Sequence, residues 1–213
     1  MFVKLAVFGL LFGVIFQSDA NGEHNEQSDK DLTVVISFES FEIDAEDFFK
    51  KQLDPVFNEL SKCVTWHFVP CSCSRIVDEV LQCVNGVGEC QIDVLYACAA
   101  HYYENDQIKL GNFFICMMTD SNKFIKGEWC AKKACLDWNL LKACKPSEQA
   151  GQFCNNRYKQ LQDIHAKGMP GVIFNWRFNE QTQAAAQTNL KSAVCERLQK
   201  IGKTCDACSN CSG

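Results

Sequence analysis

Any chemistry in this chain should come from sulfur or from carboxylates, the reactive groups that the sequence concentrates. Fifteen cysteines run from Cys63 to Cys211, and none precedes Cys63. Two groups are spaced for exchange or metal binding: Cys71 and Cys73 in "PCSCS", and Cys205, Cys208 and Cys211 in "CDACSNC". A thiolate attacks a disulfide and a second thiol resolves the mixed disulfide, so C-x-x-C spacing suits that reaction. The tail spacing also matches part of a zinc site, but no fourth ligand is evident. The carboxylates gather in "SFESFEIDAEDFFKKQL", residues 37–53, where Glu39, Glu42, Asp44, Glu46 and Asp47 crowd a strand-to-helix junction. Such a cluster suits acid–base work or a cation. It also suits a helix start, because an Asp44 N-cap and acids in the first turn each contribute about 1 kcal/mol. The capping reading needs no substrate and is adopted. His24, His67, His101 and His165 form no metal or nucleophile spacing, and His67, in a strand, reads as a core or edge residue. Neither a P-loop, G-x-S-x-G nor a zinc-protease motif occurs.

Positioning these residues requires elements. Leu32–Phe38 is a β-branched run and reads as a strand. From Asp44 the pattern becomes helical, with Phe48, Phe49, Leu53, Val56, Phe57 and Leu60 at three- and four-residue spacing. Pro55 should kink that helix without ending it. Residues 63–70 form a second strand. The stretch 71–165 is helical and holds most of the cysteines, with Cys71 and Cys73 pairing to others within it. Residues 168–178, "GMPGVIFNWRF", return to strand, "NEQTQ" reads as a turn, and a short further strand is expected before a last amphipathic helix, Ala184–Ile201. In that helix Leu190, Val194, Leu198 and Ile201 face inward. The order predicts an α/β fold with a cysteine-rich helical insertion and contains no internal repeat.

Composition bounds the partners. A chain of 213 residues that is 47% apolar can bury a large core, and one main domain is expected. A net charge of -5 and a pI near 5.4 exclude nucleic acid as the main partner, since phosphate binding needs a basic face. "MFVKLAVFGLLFGVIFQSDA", residues 1–20, reads as a signal peptide, and 21–30 as a disordered lead-in. No later run suggests membrane insertion. Fifteen cysteines suit an oxidising compartment, so most are read as disulfide staples in a secreted, extracellular protein. The odd total leaves one unpaired or available for a covalent dimer. One glycosylation sequon, Asn210-Cys211-Ser212, lies in the tail at 202–213.

The stretch "CVNGVGECQIDVLYAC" resembles the signature of the gamma-interferon-inducible lysosomal thiol reductase (GILT) family, C-Q-H-G-x-x-E-C-x-x-N-x-x-x-x-C. Cys83, Gly86, Glu89, Cys90 and Cys98 match in register. Val84, Asn85 and Asp93 stand where the family has Gln, His and Asn. Cys116 and Cys130 resemble a further family disulfide, and Cys195 its late cysteine. "MPGVIF" is similar to the cis-proline strand of thioredoxin-like proteins, which implies a cis bond at Pro170. The chain looks similar to insect members, a mosquito GILT-like protein among them. It implies a thioredoxin-like core over 31–201 with a disulfide-rich helical insert at about 71–165.

The family's proline in its kinked first helix lies about ten residues past the second active-site cysteine, so Pro55 places the C-x-x-C at 42–45. This chain reads Glu42-Ile43-Asp44-Ala45 there. A carboxylate cannot attack a disulfide productively and Ala45 cannot resolve one. The resemblance therefore implies a degenerate thiol reductase without catalytic residues, cofactor or metal. It also implies protein–protein binding through a face made by Glu42, Asp44, Asp47, Met169 and Pro170, at a host–microbe or immune interface, with a microbial or cell-surface partner. The rival reading is a thiol–disulfide oxidoreductase working through Cys71 and Cys73 or through Cys205, Cys208 and Cys211. A single sequon gives no basis for sugar-dependent lysosomal sorting.

Overall fold

The computed structural model describes residues 32–209, apart from positions 121 and 146. The leader at 1–20, the lead-in at 21–30, His24, Asn210 and Cys211 lie outside the described residues. Strand β1, Thr33–Phe38, is the centre of a three-stranded sheet of order β2-β1-β5. It runs parallel to β2, Thr65–Pro70, and antiparallel to β5, Gly171–Phe174. Alternate β1 side chains feed two cores. Val34, Ile36 and Phe38 join the main core, whereas Val35 packs with Val69, Leu161 and Ile173 on the other face. A central strand buried on both faces explains the unbroken apolar run.

The first helix is more broken than its spacing suggests. Helix α1 spans Ile43–Phe48 with Glu42, not Asp44, at its N-cap; Asp44 lies in the first turn, and Glu42 makes no side-chain cap. The expected Asp44 cap is thus corrected: the strand ends at Phe38 as expected, but the helix starts two residues earlier. A π turn follows over Phe49–Leu53, closed by the Asp54 N–H donating to the Phe49 carbonyl, and α2 resumes at Phe57–Leu60. Pro55 therefore interrupts the helix instead of only kinking it, because it lacks an N–H and its ring displaces the preceding carbonyl. The apolar stripe survives: Phe48, Phe49, Leu53, Phe57 and Leu60 are all buried.

The stretch at 71–165 is not wholly helical. It opens with a hairpin, β3 Arg75–Val77 and β4 Val80–Gln82. Its two turn residues, Asp78 and Glu79, have φ of 49° and 66°. Positive φ at both central positions is the geometry that matches strand twist. The usual Asn-Gly signal is missing, which is why spacing alone did not reveal it. Helices α3 Val87–Tyr103, α4 Gln107–Met118, α5 Lys123–Lys133, α6 Trp138–Cys144 and α7 Glu148–Asp163 follow. Close packing of α4 on the first helix depends on Gly111, where a Cβ would lie 2.1 Å from Phe57 Cζ.

Two further expectations change near the C-terminus. "NEQTQ" is not a turn: Asn179 caps helix α8, Glu180–Thr188, by accepting from the Thr182 N–H. The final helix is two, because Asn189 ends α8 and caps α9, Leu190–Lys200. Leu190, Val194 and Leu198 are buried, but Ile201 is 37% exposed beyond the helix end. The strand expected over 168–178 shortens to β5, and the further strand reduces to a single bridge between Phe174 and Arg177.

Among the described residues six disulfides brace this thioredoxin-like core and its insert: Cys63–Cys205, Cys71–Cys154, Cys83–Cys90, Cys98–Cys144, Cys116–Cys130 and Cys195–Cys208. Cys63–Cys205 spans 142 residues, and closing a loop of that size removes about 5 kcal/mol of denatured-chain entropy. Among the described residues only Cys73 and Cys135 stay outside disulfides. Cys73 thus departs from the expected pairing, since Cys154 takes Cys71.

Candidate functional site

Strand directions bring three loops to one sheet edge. Because β1 and β2 are parallel, residues after Phe38 and after Pro70 emerge side by side. Antiparallel β5 begins at the same edge, with Ser37 opposite Gly171. A Cβ on Gly171 would stand 2.0 Å from Ser37 Oγ, so only glycine allows this approach. The Met169–Pro170 peptide bond just before it is cis. The helix start at Glu42–Ala45 and the loop at 71–74 meet this proline loop.

Two clefts flank it. The smaller, of ≈ 240 Å³, is lined by Asp44, Asp47, Lys51, Met169 and Pro170, with Gln187 Nε2 donating to the Pro170 carbonyl at 2.6 Å. Asp47 pairs with exposed Lys51 at 2.6 Å, a contact of little energetic weight. Four of the five residues proposed from sequence as a binding face therefore share one cleft. Glu42 is half-buried at the helix start and does not line it. Ala45 is fully buried in the core. Among the described residues no cysteine lines this cleft.

The second cleft, of ≈ 570 Å³, lies beyond Met169 and is lined by Ser72, Cys73, Arg75, Cys83 and Tyr158. Ser72 Oγ donates to Met169 Sδ at 2.9 Å. Cys73 is thus a free thiol beside the proline loop, but burial first, then the nearby charges of Glu39, Glu89, Glu42 and Asp93, push it up to about 11. A thiol so raised is almost wholly protonated and a poor nucleophile. The alternative dithiols do not assemble: Cys71 is bonded to Cys154, Cys205 to Cys63 and Cys208 to Cys195.

The signature loop has a structural logic. Gly86, at φ 84°, is the N-cap of α3, and Glu89 accepts from the Asn85 N–H and Nδ2 at 2.6 and 2.8 Å. The Cys83–Cys90 bond closes the loop over them. Glu89 and Asp93, four apart, face one way into the interior, where they meet Glu39 from the end of β1. All three carboxylates are at most 2% exposed. Glu39 accepts from the Cys73 N–H, Asp93 accepts from the Ser40 N–H at 3.1 Å, and Ser74 Oγ lies 3.2 Å from Glu39 and 2.9 Å from Asp93. Burial, followed by the Asp93 charge, pushes Glu39 up to about 10, and burial also raises Asp93. Sequence reasoning missed this group. Its signal was the i, i+4 spacing of Glu89 and Asp93, one turn apart on one helix face.

A family model described as gamma interferon inducible lysosomal thiol reductase (GILT) matches residues 33–136, which hold β1, the helix start, the signature loop and α3 to α5. Over these residues, just under half of the chain, the chain is similar to the GILT family. The gamma-interferon-inducible lysosomal thiol reductase-like protein of Anopheles gambiae is 23% identical over 187 residues, covering 78% of this chain and 77% of its own length. GILT-like protein 1 of Drosophila melanogaster is 24% identical over 185 residues, covering 78% of this chain and 74% of its own. GILT-like protein 2 of the same fly is 24% identical over 212 residues, covering 97% of this chain and 100% of its own. In this chain, helix α1 starts at Glu42-Ile43-Asp44-Ala45, with no sulfur at any of the four positions.

Proposed function

We propose that this GILT-like protein has lost disulfide reduction and works outside the cell by binding another protein through the face beside the cis-proline loop. The observation that carries this reading is the pairing of a preserved frame with a missing reactive group. Met169 and Pro170 line a cleft with α1, yet the helix presents Asp44 and Asp47 to it and no thiol. A carboxylate at the helix start interacts favourably with the backbone N–H groups, but it cannot form a mixed disulfide. Fold and site can persist after the chemistry has gone, leaving recognition. The disulfides support an oxidising location, and among the described residues no helix is long and apolar enough to cross a membrane. A microbial or cell-surface protein, met at a host–microbe or immune boundary, is the partner we propose. Exposed Cys135 is the thiol available for a covalent dimer.

Reduction of a protein disulfide, followed at acidic and neutral pH, tests the reading. The native chain is compared with a Glu42→Cys/Ala45→Cys double variant. Native silence with turnover by the double variant supports a sound frame lacking its dithiol. Turnover by the native chain overturns the proposal.

A further inference from the structure

We propose that Glu39, Glu89 and Asp93 form a buried divalent-cation site, with calcium as the ion whose chemistry fits best. Three observations converge on it. The first is geometric: one carboxylate oxygen from each residue lies within 4.8 Å of the others. Calcium binds oxygen at about 2.3–2.6 Å, so ligands across one ion stand up to roughly 5 Å apart.

The second is an orphaned hydroxyl. Ser40 is fully buried, and its Oγ has no hydrogen-bond partner. It stands beside the Asp93 carboxylate and favours its charged form, so it is aimed into the group. A buried hydroxyl left unpaired costs free energy, and a cation between the carboxylates gives its lone pairs a partner.

The third is a count of protons. Ser74 Oγ stands within reach of both Glu39 Oε2 and Asp93 Oδ2 but has one proton to donate. The other contact therefore needs positive charge, carried either by a proton on the raised Glu39 carboxyl or by a cation that displaces that proton. Side chains do not add it: among the described residues, none of the ion pairs includes Glu39, Glu89 or Asp93. Lys123, buried close by, instead donates to Glu46 and to the Ser40 carbonyl. Besides Ser74 Oγ, the donors that reach the group are the Cys73 and Ser40 N–H groups on Glu39 and Asp93, and Asn85 on Glu89. These hold the carboxylates in place and leave lone pairs free.

An all-oxygen set without imidazole or thiolate selects a hard ion such as calcium over zinc or copper. The Cys73 backbone joins the group to the floor of the larger cleft, which offers a route from solvent. A bound ion would tie together the end of β1, the loop after β2 and the start of α3, the segments that frame the face proposed for binding. The inference stands on this geometry and does not depend on that reading.

The test uses the oxidised native chain, stripped with a chelator and then given calcium alone. Terbium provides a second probe, since Tyr96 lies one turn beyond Asp93 and can sensitise its emission. Saturable terbium emission that calcium displaces, together with a rise in Tm, is the expected result. Asp93→Asn should weaken binding by roughly tenfold or more while folding normally in chelator, because it removes one of three anionic oxygen ligands and leaves a side chain of the same shape. Ser40→Ala should weaken calcium binding without lowering the Tm of the chelated protein. No response of the native chain at about 1 mM calcium, the weak end for extracellular modules, overturns the site and leaves a carboxyl pair sharing a proton. Unchanged binding by Asp93→Asn overturns it too. So does binding lost in Asp44→Asn/Asp47→Asn, which would place the ion on the surface instead.

Discussion

Acid should act on this protein through His67, and the effect has a definite sign and size. His67 sits on β2, half-buried, with Trp176 edge-on at 4.6 Å between ring centroids and Arg157 Nη1 at 3.4 Å from its Nε2. Burial lowers its pKa first, the Arg157 charge lowers it further, and Glu104 opposes them, leaving it at about 4 against an ordinary 6.5. Arg157 is itself held by Glu104 at 2.9 Å and by the Ala100 carbonyl at 3.3 Å, so it cannot swing away freely. Between those two values the unfolded chain binds a proton that the folded chain refuses. Stability is therefore full above pH 6.5 and is lost as pH falls towards 4. Linkage gives about 2 kcal/mol lost between pH 7 and pH 5, and about 3 kcal/mol once both states are titrated. For a chain of this size 2 kcal/mol corresponds to roughly 4–8 °C in Tm. His67→Gln keeps an acceptor for Arg157 but cannot titrate. Calorimetry of both proteins at pH 5 and 7 should show the acid-induced drop in Tm shrinking by about that amount in the variant. An equal drop in both, or a His67 ring that titrates above pH 6 by NMR, would refute the reasoning.

Three other outcomes follow from the same structure, alongside the restored-dithiol and calcium experiments. Cys73, raised from 9.0 to about 11, should react with iodoacetamide about 100-fold more slowly than an ordinary thiol at neutral pH. Mass spectrometry after brief labelling should find exposed Cys135 modified first; rapid labelling of Cys73 would revive the oxidoreductase reading. Gly111→Ala should destabilise by about 1–3 kcal/mol despite alanine's better helix propensity, because the new methyl meets three Phe57 ring atoms at 2.1–2.8 Å. A higher Tm in that variant would show that Phe57 can move. Ser72→Ala should lower stability by no more than about 0.5–1.5 kcal/mol yet loosen the Met169 side chain from the second cleft, seen as a change in its methyl NMR signal.

The sequence by itself determined the local and compositional features. Fifteen cysteines point to a disulfide-braced chain, and the register of Cys83, Gly86, Glu89, Cys90 and Cys98 resembles one family. The apolar run of β1 and the stripe from Phe48 to Leu60 were legible because burial imposes a period on each element. Helix limits were less legible: Pro55 and Asn189 break elements whose apolar period continues across the break. The hairpin at Arg75–Gln82 was hidden because Asp78 and Glu79 adopt positive φ without the usual glycine. Only the tertiary structure decided which sulfurs meet, leaving Cys73 free while Cys71 reaches Cys154 across 83 residues. It alone also placed Glu39 against Glu89 and Asp93, residues fifty and more apart that share a buried space. The physical reason is that a side chain's period is set by its own element. Its partners and its charge state are set by whichever distant elements pack against it.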